Sequence, residues 1–380
     1  MKIVIAPDSF KESLTALEVA SLIEKGFKEV LPDAEYIKIP MADGGEGTVQ
    51  SIVDALQGKI VEYHVTGPLG IQVPAFFGLS GDGETAVVEM AAASGLQHVP
   101  PERRNPLLTT SYGTGELISA ALDCGAKHII LGIGGSATND GGAGMIQALG
   151  GKLLNSKGQQ IKFGGASLLD LSMIDLTTID ERIHKTKIEV ACDVDNPLIG
   201  PSGASAIFGP QKGATNETVK ILDKNLEHFA DLIETTLKLK LRNKPGAGAA
   251  GGLGFGVMAA FSSAKFKSGV DIVLEKVDFD KHVKNATCVI TGEGRIDSQT
   301  IHGKAPIGVA RAAKKYNIPV IAITGALSNE SEVVKDHGIA ALFSIVPGAM
   351  TLAQAVDQAE IYTTITAKNI ASIIKLDLLK

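Results

Sequence analysis

The residues best suited to chemistry lie in glycine-rich loops that follow apolar runs. In Ile129–Met145, IILGIGGSATNDGGAGM, a β-branched run leads into Gly134, Gly135, Ser136, Thr138, Asn139, Asp140, Gly141 and Gly142 before a helical pattern resumes. Strand, glycine loop and helix start is an order in which backbone N–H groups can approach an anion without Cβ interference. Asp140 in that loop can hold a metal ion that offsets phosphate charge. An ordinary glycine-rich turn has the same composition, and no Gly-Lys-Ser/Thr follows, so this is not a Walker loop.

Five further loops have related compositions. Asp8-Ser9-Phe10-Lys11 offers a carboxylate and an ammonium just after the first apolar run, or simply a solvated turn before a helix. Asp43-Gly44-Gly45-Glu46-Gly47 sets two carboxylates at a helix start, suiting a metal-bridged phosphate, a polyol hydroxyl or a charged first turn. Asp193 ends the run IEVACDV, with Asp195 behind it; paired acids there can hold Mg²⁺, accept a hydroxyl proton or merely end the strand. Gly292-Glu293-Gly294-Arg295 brings a guanidinium able to grip carboxylate or phosphate bidentately, and Lys304 is a second base nearby. Lys212 in FGPQKG can reach a phosphate or stand as a surface lysine after a proline turn. There is no HExxH, no GxSxG elbow, and no GxGxxG after the first strand. Glycine turns, acids and a few bases together suit phosphoryl transfer, which is mostly positioning and charge neutralisation.

The elements that must position these loops alternate at both ends of the chain. Lys2–Ala6 reads as a strand; Thr15 and Glu18 form a capping-box pattern ahead of a helix through Val19, Ile23 and Phe27. A strand at Tyr36–Pro40 and a helix through Val49, Ile52 and Val53 follow. The βα rhythm returns with strands at Ala286–Thr291 and Pro319–Thr324, a helix near Pro306–Tyr316, a strand at Ala340–Val346 and a final helix over Leu352–Ile374. Between them, Ile60–Val65 and Val73–Leu79 flank a turn, and strands, helices and long glycine loops mix. The fold class expected is α/β in two domains. Residues 1–66 with 281–380 form a discontinuous Rossmann-like domain with a doubly wound parallel sheet, and 67–280 an inserted α/β domain with a mixed sheet. Ligands of such sheets bind beyond the carboxyl ends of the strands, so the active site is expected in the cleft between the domains.

Composition narrows the partners. A net charge of −6 and the absence of Trp argue against nucleic acid and anionic membrane. Three scattered cysteines, Cys124, Cys192 and Cys288, make neither a zinc pattern nor a disulfide framework. The charge-free Pro245–Ala264 contains six glycines, which suits a buried turn and helix better than a membrane span. With no signal-peptide run at the N-terminus, the expected location is cytoplasmic.

Taken in order, these loops resemble the bacterial glycerate kinase family of the two-domain α/β type. The carrying residues are Ala6–Lys11, Ala42–Thr48, Gly134–Gly142, Cys192–Val194 with Asn196–Leu198, Phe208 with Pro210–Ala214, Gly246–Gly252, Thr291–Arg295 and Gly303-Lys304. The resemblance implies ATP-dependent phosphorylation of D-glycerate with Mg²⁺ in organic-acid and glyoxylate catabolism, by a monomer or homodimer. The resemblance carries over no settled catalytic base; on the residues themselves the roles expected are Asp193 as proton acceptor, with Lys11 and Arg295 on the glycerate carboxylate or the transferring phosphoryl group. Asp8, Ser9, Asp43 and Glu46 would position substrate. The Gly134–Gly142 loop, Lys212, Gly292 and Gly294 would bind nucleotide, and Asp43, Asp140 and Asp193 the metal.

Overall fold

The computed structural model describes residues 1–42 and 47–378. The chain divides into two compact units, 1–43 with 268–380, and 44–267.

In the first unit five parallel strands lie in the order Ile339–Ser344, Val320–Thr324, Cys288–Gly292, Lys2–Pro7, Glu35–Lys38. The N-terminal strand is thus central, Ile3 opposite Cys288 on one side and Tyr36 on the other. Ile3, Val4 and Ile5 are fully buried, as a parallel strand covered on both faces requires. The helix Ala16–Lys28 starts at the expected capping box, with Thr15 accepting from the Glu18 N–H and Glu18 accepting from the Thr15 N–H at 2.8 Å. Its apolar face buries Val19, Ala20, Ile23 and Phe27. The C-terminal helix Ala359–Leu378, separated at Gln358 from a short helix Leu352–Asp357, packs on it. Crossing from Lys2–Pro7 to Glu35–Lys38 in one direction, and onward from Cys288–Gly292 in the other, makes the gap between the two central strands the topological switch point.

The second unit is built on a six-stranded sheet in the order Lys265–Lys267, Lys187–Ala191, His128–Gly132, Thr85–Glu89, Gln72–Leu79, Lys59–Thr66. The first four strands are parallel and the last two antiparallel, so the sheet is mixed as expected. The boundaries differ from the expected 66/67 and 280/281. Lys59–Thr66 pairs residue for residue with Gln72–Leu79, so it extends the second sheet. The helix Thr48–Ala55 packs on that sheet too, so the βα rhythm read at the N-terminus changes unit after its second strand. The helix Gly269–Lys276 belongs with the first unit, packed against Ala305–Lys314. In the uncharged glycine segment Ala250, Gly251 and Gly252 take left-handed backbone angles, and a helix then runs on to Ala260, buried almost throughout. Among the described residues no helix is long and apolar enough to cross a membrane.

Candidate active site

In the first unit, the loops leaving the two central strands meet at the switch point. The Asp8 N–H donates to the Gly292 carbonyl at 2.8 Å, and an added Cβ at Gly294 would stand 3.3 Å from the Lys11 nitrogen. Phe10 is the anchor: buried in the core, it pairs with Leu14 and leaves Lys11 exposed at the tip. The Asp8 carboxylate is buried and accepts from the Ser9 N–H at 2.6 Å. Arg295 reaches into solvent with its Nε 3.6 Å from Asp297. Beside it a pocket of about 470 Å³ is lined by Arg295, Asp297, Ser298, Gln299, Asn329 and Glu330, with Ser328. Asp8, Ser9, Lys11, Gly294 and Arg295 are therefore neighbours at one sheet edge.

Glu293 is a feature that the sequence left without a role. It is buried, accepts from the Thr300 hydroxyl at 2.6 Å and pairs with Lys304 at 3.2 Å. Burial pushes its pKa up, against the hydrogen bond from Thr300 and the charge of Lys304. A carboxylate between two glycines at a strand end was the available signal. Gly292 is buried at the end of its strand, and a Cβ there would lie 1.8 Å from the Ile323 carbonyl oxygen, so close strand packing requires glycine at this position.

In the second unit, the glycine loop follows the central strand His128–Gly132 as expected, but its second half is already occupied. Asp140 is buried and accepts four hydrogen bonds: from Ser111 N–H and Oγ, each at 2.8 Å, from Gly142 N–H at 3.1 Å and from Gly144 N–H at 3.2 Å. The anion at the start of the Ala143–Ala148 helix is thus the chain's own carboxylate. Burial raises its pKa, and these four bonds oppose the rise. Asp140 braces the loop, and Gly142 spends its amide on it. Gly141 donates to the Gly251 carbonyl, and Thr138 and Asn139 are buried, with Asn139 Nδ2 on Ser205. Gly251 has to be glycine: its φ is +67°, and a Cβ would lie 1.9 Å from the Thr138 oxygen.

What remains open is the first half of the loop. Gly134 and Gly135 are exposed, and among the described residues nothing accepts from the N–H groups of Gly134, Gly135 or Ser136. The turn is nevertheless fixed: Leu96 N–H donates to the Gly135 carbonyl at 3.0 Å and Ala137 N–H to the Ser94 carbonyl at 2.9 Å. Exposed amides on a fixed backbone make a preorganised anion site.

Lys212 lies beneath this turn. It is 1% exposed, not a surface lysine, and its Nζ donates to Ser136 Oγ and to the Thr138 carbonyl, each at 2.7 Å. Burial pushes its pKa down to about 7, with Asp140 pulling the other way. Asp193 stands exposed just past the strand Lys187–Ala191, and Asp195 beside it is exposed as well. Glu89, another strand-end acid that the sequence reading did not single out, is buried and accepts from the Val49 N–H at 2.9 Å, capping the helix Thr48–Ala55. Asp43 and Glu46 lie outside the described residues. Among those described, no group of three or more His, Cys, Asp or Glu side chains is placed to hold a metal.

An α/β chain whose strand-end loops carry hydroxyls, carboxylates, bases and, in the second unit, exposed glycine amides belongs, by class, with enzymes that act on small anions. The sequence pattern of the glycerate kinase family matches residues 3–375. A glycerate kinase of Bacillus subtilis strain 168 is 62% identical over 376 residues, covering 99% of this chain and 98% of that one. The glycerate 2-kinase of Escherichia coli strain K12 is 58% identical over 355 residues, 93% of each chain. A crystal structure from Salmonella typhimurium LT2 that carries a glycerate kinase 2 assignment matches with a TM-score of 0.92 at 54% identity, over 100% of both chains. The chain belongs to the glycerate kinase family, phosphotransferases with an alcohol group as acceptor.

Proposed function

We propose that the protein transfers the γ-phosphoryl group of ATP to the 2-hydroxyl of D-glycerate, giving 2-phosphoglycerate in organic-acid and glyoxylate catabolism. The observation that carries the reading is identity of 58% or more, along nearly the whole chain, with kinases named for glycerate. The choice of the 2-hydroxyl is supported by the name of the Escherichia coli relative.

The residues take the following parts in this reading. The Gly134–Ser136 turn binds nucleotide phosphate through its exposed amides. Asp193 accepts the proton of the attacking hydroxyl, as an exposed carboxylate at a strand end can. Lys11 and Arg295 hold the glycerate carboxylate, and Asp8 and Ser9 orient its hydroxyls. Mg²⁺ keeps most of its water and takes one or two protein carboxylates, a demand that Asp193 and Asp195 fit. When bound, the ion would offset charge on the phosphate oxygens.

The test is phosphorus NMR of the purified protein with ATP, Mg²⁺ and D-glycerate, against a control lacking glycerate. A phosphoglycerate signal coupled to the C2 proton is expected. Coupling to the C3 protons would move the product to 3-phosphoglycerate, and no product above the control would remove D-glycerate as the substrate.

A further inference from the structure

We propose that Lys212 is a positioning residue, acting on nucleotide through Ser136 rather than touching phosphate itself. The inference rests on the reading of the Gly134–Ser136 turn as the phosphate site. Three observations carry it. Lys212 is 1% exposed while Gly134 and Gly135 are exposed, and its Nζ already donates to Ser136 Oγ and the Thr138 carbonyl, so the glycines and not the ammonium are open to a ligand. Its Nζ occupies a lone pair of Ser136 Oγ at 2.7 Å, and among the described residues nothing accepts the hydrogen of that hydroxyl. Finally, among the described residues no carboxylate forms an ion pair with Lys212; Asp140 is held instead by its four internal donors.

An ammonium buried without a paired carboxylate is costly and persists where a site uses it. Held as an acceptor by Lys212, Ser136 has its hydrogen left for an oxygen outside the loop. That hydrogen lies beside three amide N–H groups that also lack acceptors, so four donors serve one anion. The second bond of Lys212, to the Thr138 carbonyl, ties the turn to the braced half of the loop. Lys212 therefore fixes the orientation of one donor.

The experiment compares the parent with Lys212→Met, Ser136→Ala and the double variant, measuring ADP affinity by calorimetry and the KM for ATP and for glycerate. Each single change should weaken nucleotide binding about tenfold, and the double variant no more than the worse single, because both remove one oriented donor. The KM for glycerate should stay within about twofold of the parent. A folded Lys212→Met protein with parental ADP affinity overturns the proposal, as does a double variant whose losses multiply. If Lys212→Met does not fold, Ser136→Ala and Lys212→Gln carry the test, and unchanged ADP affinity in Ser136→Ala overturns it. A parent protein that binds neither ADP nor ATP overturns the nucleotide reading as well. A parent that binds with variants that match it overturns the inference alone.

Discussion

Burial of Lys212 makes the stability of the fold depend on pH in a calculable way. Its folded pKa is about 7 against an ordinary value of 10.5, burial lowering it and the charge of Asp140 opposing. Below the folded value the residue is protonated in both states, and the folded chain bears the whole cost of a buried ammonium. Between pH 7 and 10.5 the unfolded chain holds a proton at Lys212 that the folded chain has released, so stability rises with pH in that window. Above it both states are neutral and the cost is gone. Integrating the linkage from pH 7 to pH 9 gives the parent a gain of about 2 kcal/mol, with a limiting slope of about 1.4 kcal/mol per pH unit. Lys212→Met lacks this contribution. Urea unfolding of parent and variant, followed by circular dichroism at pH 7, 8 and 9, isolates it, since all other titrations cancel in the difference. The parent should gain on the variant at each step. A difference that stays flat across the three pH values would refute the reasoning.

The other predictions concern residues on both sheets. Asp193→Asn should lower kcat about 100-fold or more while leaving the circular dichroism spectrum unchanged, and near-parental turnover would remove it as proton acceptor. Lys11→Ala and Arg295→Ala should each raise the KM for glycerate about tenfold, as removal of a charged hydrogen bond does; an unchanged KM would reassign them. Asp140→Ala strands four donors and should cost about 3 kcal/mol or more in urea unfolding; a loss under about 1 kcal/mol would contradict its part as a brace. Gly251→Ala drives a methyl into the Thr138 carbonyl from a left-handed backbone and should weaken both thermal stability and ADP binding. An alanine variant that melts and binds like the parent would show that the loop yields.

What could be read from the sequence was local. The Thr15–Glu18 capping box needs only four consecutive positions, and the start of its helix was legible from them. The parallel sheet of the first unit followed from apolar runs at both ends of the chain, each with a polar loop after it. Where a partner far away decides, the reading failed. Lys59–Thr66 looks the same in either unit until its neighbour Gln72–Leu79 is known. Asp140 resembled a ligand because Ser111, which takes its carboxylate, lies 29 residues upstream. Lys212 sits in Pro-Gln-Lys-Gly, a composition typical of solvated turns, and only the loop 74 residues earlier makes it a buried cation. Charge and hydroxyl marked the strand-end loops, but which oxygen faces inward is a tertiary fact.

The central position of the first strand has a consequence for the order in which the chain is made. Lys2–Pro7 is made before every other strand described, yet one flanking strand is Cys288–Gly292; the Thr291 hydroxyl that closes on the Ala6 carbonyl lies 285 residues away. The second unit draws all its strands from residues 59–267, every one of them made before that partner. An apolar strand of Ile3, Val4 and Ile5 must therefore wait, half-paired at best with Glu35–Lys38, while a whole unit forms behind it. For the length of that wait it is an exposed β edge, the kind of segment that chaperones bind and that aggregates when production is fast.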